Sequence, residues 1–174
     1  MRPLLLLLLS LTSALAAAAP DPTPYPFTPS PKGLQVQMVD DLLELGVHHA
    51  GINLTLSGLL SPAMEAKPGQ LTATADGFTF VINEAYVKSL DRQIKALSDK
   101  GVVVTAILIT YRSPHERVRK LTVHPQADAI KGTTMAANTV TPEGRACYAA
   151  LTDFIARRWC SADTSHGRLW GWVI

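Results

Sequence analysis

The chain has 174 residues, with 16 basic and 14 acidic side chains and a formal net charge of +2. That near-balance excludes a strongly basic surface of the kind nucleic acids require. The length excludes a complete α/β barrel, which takes about 250 residues, and no phosphate-cradling glycine loop, dinucleotide fingerprint or Gly-x-Ser-x-Gly elbow occurs.

At the amino end, Arg2 precedes an apolar run from Leu4 to Leu15 that leads into Ala16 to Ala19, the pattern of an export leader. The run is about 16 residues, short of the roughly 20 that a helical membrane span needs. Residues 1–18 are therefore expected to be a signal peptide cut after Ala16 or Ala18, leaving a secreted or periplasmic protein with no membrane span. No cysteine lies nearby, so a lipid anchor is not expected. Residues 19–31 carry proline at nearly every second position, which removes donors and holds the backbone extended. They read as a linker or wrapping arm whose Tyr25 and Phe27 can pack on the domain surface.

From Lys32 to Ile174 one pattern repeats: an amphipathic helix, a glycine stop, an apolar strand. Leu34, Met38, Leu42 and Leu45 fall at helical spacing, Gly46 supplies the left-handed cap, and Val47 to Leu56 follows as a strand. Asn83 caps a helix with Tyr86, Leu90, Ile94 and Leu97 on its inner face; Gly101 ends it, and Val102 to Ile109 is apolar throughout, as a strand buried on both faces would be. Thr141 caps a third helix, Pro142 takes its first position, and Cys147, Leu151, Phe154 and Ile155 line its inner stripe before a strand in Arg168 to Ile174. Cys147 and Cys160 stand 13 residues apart, about 20 Å on one helix, too far for a bridge. Cys147 is expected in the core, and Cys160 free or paired beyond Ile174. Helices alternating with buried strands predict a parallel sheet, and the final strand, with no element after it, predicts the front part of a larger domain.

The strand-to-helix connections, Ser57 to Ile82 and Thr110 to Val140, run to about 26 and 31 residues, against the usual 2 to 6. Long loops at one end of a sheet mark that end as functional. Leu71 to Ile82 alternates around Asp76-Gly77 and predicts a hairpin over the mouth of the sheet. The candidate binding residues are those where strands end and long loops begin: Asn53, Tyr111, Arg112, His124 and Asn138. They offer hydrogen-bonding groups and flat faces at one end of the sheet. His48 and His49 open a strand at the opposite, structural end, and Trp170 and Trp172 share one strand face, where core filling is expected ahead of ring stacking on a ligand. His115-Glu116 lacks the following histidine of a zinc-protease helix, so neither metal nor other cofactor is expected. The basic run Arg112, Arg117, Arg119 and Lys120 reads as a solvated loop or short helix, with contact to an anionic ligand at the mouth as the functional alternative.

Asp99-Lys100-Gly101 followed by Val102 to Tyr111 resembles the third-strand region of clan A glycoside hydrolases, and Trp170 to Ile174 resembles their fourth strand. More closely, Lys32 to Gln35, Asn138 to Gly144 and His166 to Gly171 resemble an uncharacterised family of secreted bacterial barrel proteins. The resemblance implies the N-terminal portion of a (β/α)8 TIM barrel acting on a poly- or oligosaccharide. In that clan Asn-Glu follows the fourth strand and supplies the acid/base, while a second glutamate on a later strand is the nucleophile. Both would lie beyond Ile174, so the chain alone is expected to be an inactive portion of a secreted glycoside hydrolase. The alternative is a non-catalytic carbohydrate-binding barrel. One departure stands out: if the last strand is the fourth, the first should precede the Leu34 helix, where only the proline-rich arm is found.

The leader generates a direct expectation. Intact mass of the exported protein should place its first residue at or near Ala17 or Ala19, and a soluble secreted form retaining Met1 would overturn the export assignment.

Overall fold

The computed structural model describes residues 23–35, 38–127 and 132–174; the expected signal peptide lies outside the described residues. In chain order the elements are β1 (Gly33–Gln35), α1 (Val39–Glu44), β2 (His49–Thr55), α2 (Leu56–Leu59), β3 (Thr72–Ala75) and β4 (Phe78–Val81). They continue with α3 (Glu84–Ser98), β5 (Val103–Tyr111), α4 (Glu116–Thr122), β6 (Thr134–Met135), α5 (Pro142–Trp159) and β7 (Gly171–Val173).

Four strands pair in parallel, β1 beside β2, β2 beside β5 and β5 beside β7. The mixed α/β chain with its curled, largely parallel sheet fits one half of an α/β barrel. The first strand is where the sequence pattern predicts a helix. Leu34 lies in β1, the helix is confined to Val39–Glu44, and of the expected stripe only Leu42 is buried, with Met38 and Leu45 exposed. Gly33 makes this possible: a Cβ there would lie 2.8 Å from the Cβ of His49, closer than two carbons approach. The strand count is thereby completed, β7 being the fourth parallel strand in chain order.

The other helices form where their caps and stripes dictate. Asn83 Oδ1 accepts the N–H of Tyr86 at 3.3 Å to open α3, whose buried residues are Val87, Leu90, Ile94 and Leu97. Tyr86 turns to the sheet, and its hydroxyl accepts the N–H of Thr55 at 2.9 Å. Thr141 Oγ1 accepts the N–H of Gly144 at 3.0 Å at the start of α5. Its inner face buries Cys147, Leu151, Ile155 and Trp159; burial pushes the Cys147 thiol up to about 12, so it behaves as a small apolar side chain. Both cysteines are free. The hairpin forms around Asp76 and Gly77, which hold the two positive φ angles of 49° and 79° that a tight two-residue turn needs. It packs its Ala73 and Phe80 into the core on the flank of α5, so it belongs to the helix layer instead of arching over the mouth.

One polar cluster joins α3, α5 and the approach to β7. Asp91 accepts both Arg158 Nε at 2.9 Å and Arg158 Nη2 at 2.6 Å, together with Trp159 Nε1 at 3.0 Å. His166 Nδ1 lies 3.3 Å from Arg158 Nη2. The next residue, Gly167, has φ +85°, and a Cβ on it would come within 2.4 Å of the Lys95 backbone nitrogen. The loop therefore lies directly on α3, and Leu169 N–H then bonds Trp159 O at 2.7 Å and Trp170 N–H bonds Val104 O at 2.8 Å to start β7.

Gly167 and Gly101 separate strain from steric conflict. Both have positive φ, but nothing lies within 4 Å of a Cβ at Gly101. Gly101→Ala should cost about 1–2 kcal/mol from the left-handed backbone alone, and Gly167→Ala about 2–5 kcal/mol once overpacking is added. Denaturant unfolding of the two variants measures the difference; equal losses would contradict the close packing of Gly167 on α3.

Candidate functional site

Alternation divides the central strands between two environments. On β2, Ala50, Ile52 and Leu54 are buried in the core under the helices, while Asn53 is exposed and Gly51 and Thr55 are half-buried. The in-register ladder places Asn53 beside Ile107 and Thr55 beside Ile109. Over its carboxyl half the open face is thus polar on β2, at Asn53 and Thr55, and apolar on β5, at Ile107 and Ile109. Tyr111 prolongs the β5 row at its carboxyl end and is 36 % exposed. From β1, Gln35 Nε2 donates to Asn53 Oδ1 at 2.8 Å. Each amide keeps a second polar atom for another partner, the acceptor Gln35 Oε1 and the donor Asn53 Nδ2.

The rim above this face is built by residues 133–138. β6 pairs antiparallel with Thr110 and Tyr111. Arg112 N–H donates to Thr133 O at 3.1 Å, and His124 N–H donates to Ala136 O at 2.8 Å. The segment zips the end of β5 to the end of α4 and so gathers Tyr111, Arg112 and His124. Arg112 Nη2 lies 3.7 Å from Met135 Sδ. His124 Nδ1 accepts the N–H of Gln126 at 3.2 Å, which in the neutral ring puts the proton on Nε2.

Asn138 is brought to the same loop but not to the surface. It is 1 % exposed; Nδ2 donates to Lys120 O and Thr141 Oγ1, both at 2.9 Å, and Oδ1 accepts the N–H groups of Val140 at 3.3 Å and Thr141 at 3.2 Å. A Cβ on Gly144 would stand 2.3 Å from its Cγ. Asn138 therefore fixes the loop and the start of α5 and offers nothing to a ligand directly. Asn53 stands apart from the rim as well: Tyr111 lies four residues beyond Ile107, its neighbour across the ladder, about 13 Å along the strand direction. A ligand touching both is extended.

Gln35 is the residue that sequence reasoning missed. Once Gly33–Gln35 is placed as a strand parallel to β2, Gln35 falls on the face of Asn53, but a strand of three residues has no periodicity to declare itself. No residue of β1, β2, β5 or β7 is a carboxylate, and among the described residues no three His, Cys, Asp or Glu side chains are grouped to hold a metal ion. No helix among the described residues is long and apolar enough to cross a membrane.

The basic run forms α4 and its approaches. It borders a cleft of about 500 Å³ with Met64, Phe78 and Glu143. Its charges are already engaged. Arg117 Nη1 donates to the carbonyls of Ser61 at 3.2 Å and Ala63 at 2.8 Å, and Lys120 pairs with Glu116 at 2.8 Å. Lys120 holds the Glu116 carboxyl below its ordinary value, chiefly through that hydrogen bond. The open sheet face, with its uncommitted amide atoms, is the better candidate.

The place of Asn138 is testable. Asn138→Ala removes four hydrogen bonds and strands buried backbone groups, and should lower unfolding free energy by about 2–4 kcal/mol. A change under about 0.5 kcal/mol in chemical denaturation would rule out its role as the loop's hub.

No curated protein and no solved structure matches the chain. A family model matches residues 24–174, from the proline-rich arm through β7. The chain belongs to DUF5722, a family of unknown function.

Proposed function

We propose that the chain is the glycan-binding front half of a secreted (β/α)8 barrel of the glycoside hydrolase type. The observation that carries this reading is the Gln35–Asn53 amide pair, hydrogen-bonded at 2.8 Å on the open face and aligned with the half-exposed Tyr111. A polyol ligand needs donors and acceptors in fixed positions and a flat apolar face for its C–H surface. The amide pair supplies the first and Tyr111, at the carboxyl end of β5, the second. Arg112 and His124 add cationic and donor groups at the rim, suited to acidic or hydroxyl substituents. The route to hydrolysis is acid/base work by two carboxyl groups about 5–5.5 Å apart in a retaining enzyme. The four parallel strands supply neither, so in this reading the chain binds and orients while cleavage requires carboxylates from elsewhere.

Affinity electrophoresis and calorimetry against a broad panel of soluble polysaccharides test the proposal. At least one glycan should be retained, and Asn53→Ala and Tyr111→Ala should each weaken it about tenfold, or about 1.4 kcal/mol, without moving the unfolding midpoint. No retention across the panel, or retention indifferent to both substitutions, removes the glycan reading. Release of reducing ends by the unmodified chain would overturn the division between binding and cleavage.

A further inference from the structure

The proline-rich arm is tied to the sheet at two points. Tyr25 meets Trp170 edge to face, ring centroids 5.7 Å apart and planes at 73°, while Arg168 places its guanidinium carbon 4.1 Å from the centre of the same indole. Three residues on, Thr28 Oγ1 lies 2.8 Å from His49 Nε2. Phe27, between them, is fully exposed, so the contacts are made by particular residues and not by general apolar adhesion.

Trp170 immediately precedes β7, and His49 is the first residue of β2. These strands are not neighbours, since β5 lies between them. Two strand spacings are about 9.6 Å, and three extended residues reach about 10 Å. The segment from Tyr25 to Thr28 is thus the length needed to pass beneath β5. Pro24, Pro26, Pro29 and Pro31 lack N–H groups and hold φ near −65°, so the arm stays extended without adding to the sheet as a strand. After Thr28 the chain turns, with Lys32 N–H donating to Ser30 Oγ at 3.2 Å, and enters β1 with Gly33 opposite His49.

The hydroxyl of Thr28 fixes the state of the histidine. It has one hydrogen, which it donates to Ser30 O at 2.9 Å. At His49 its oxygen must then accept, so Nε2 carries the proton.

We propose that Tyr25 to Pro31 is a strap that clamps the amino ends of β2 and β7 to each other beneath β5, with His49 as the Nε2–H donor, and so fixes the width of the open sheet face. The ladder of β7 to β5 runs from Gly171 to Val173, directly after the strapped Trp170. The family match begins at residue 24 and so takes in the whole strap.

Hydrogen exchange of the full chain, read by mass spectrometry, tests the clamp. Tyr25→Ala and Thr28→Val should each accelerate exchange of the Gly171–Val173 amides about tenfold or more while the centres of α3 and α5 are unchanged. Tyr25→Phe keeps the ring and Thr28→Ser the hydroxyl, and both should exchange as the unaltered chain does. Nitrogen-15 NMR of the unaltered chain should find the neutral His49 proton on Nε2, a measurement that does not depend on any variant folding. Unchanged β7 exchange in both disruptive variants, or a neutral ring with its proton on Nδ1, overturns the strap.

Discussion

The parallel ladder between β2 and β5, seven residues in register from His49–Val103 to Thr55–Ile109, is the constraint on which the other elements depend. Parallel strands cannot be joined by a tight turn, so the chain between them must cross over the sheet, and α3 with the preceding hairpin makes that crossing. Each strand alternates between a face the helices cover and a face they do not. Every placement on the open face follows from the register. One step of slippage would bury Asn53 in the core and bring Ile52 out.

Much of this order is legible in the sequence because the signals are local and chemically specific. Asn83 and Thr141 cap the helices they were expected to cap, Gly46 and Gly101 have the left-handed φ that ends a helix, and Asp76-Gly77 turns a hairpin. Other features depend on partners distant in sequence. Leu34 has helical spacing to Met38 and Leu42, yet it forms a strand because Gly33 can approach His49. The hairpin's alternation reveals two strands but not the helix they lie on. Asn138 has a polar side chain at a strand-to-helix loop, which describes a ligand-binding residue and a loop hub equally well. Only its neighbours Lys120, Thr141 and Gly144 decide.

The segments that carry the family resemblance share a further property. Gly33 permits close strand approach, Asn138 to Gly144 build a helix start, and Gly167 lays a loop on α3. Each is a device for folding, placed by steric and hydrogen-bonding demands that any ligand would leave unchanged. Such motifs report architecture faithfully and chemistry hardly at all. The residues best suited to bind, Gln35, Asn53 and Tyr111, lie beside these segments or at their margins.

The two outer strands of the sheet differ in character. β1 presents glycine, leucine and glutamine over three residues, whereas β7 presents Trp172 at 36 % exposure, Val173 at 56 % and the adjoining Ile174 at 89 %. An uncovered edge rich in large apolar side chains is a template on which another strand can form, and proteins ordinarily blunt such edges with charge, proline or a bulge. None of these devices interrupts Trp172 to Ile174. The β7 margin is therefore where a further strand, of this chain or of another, would extend the sheet.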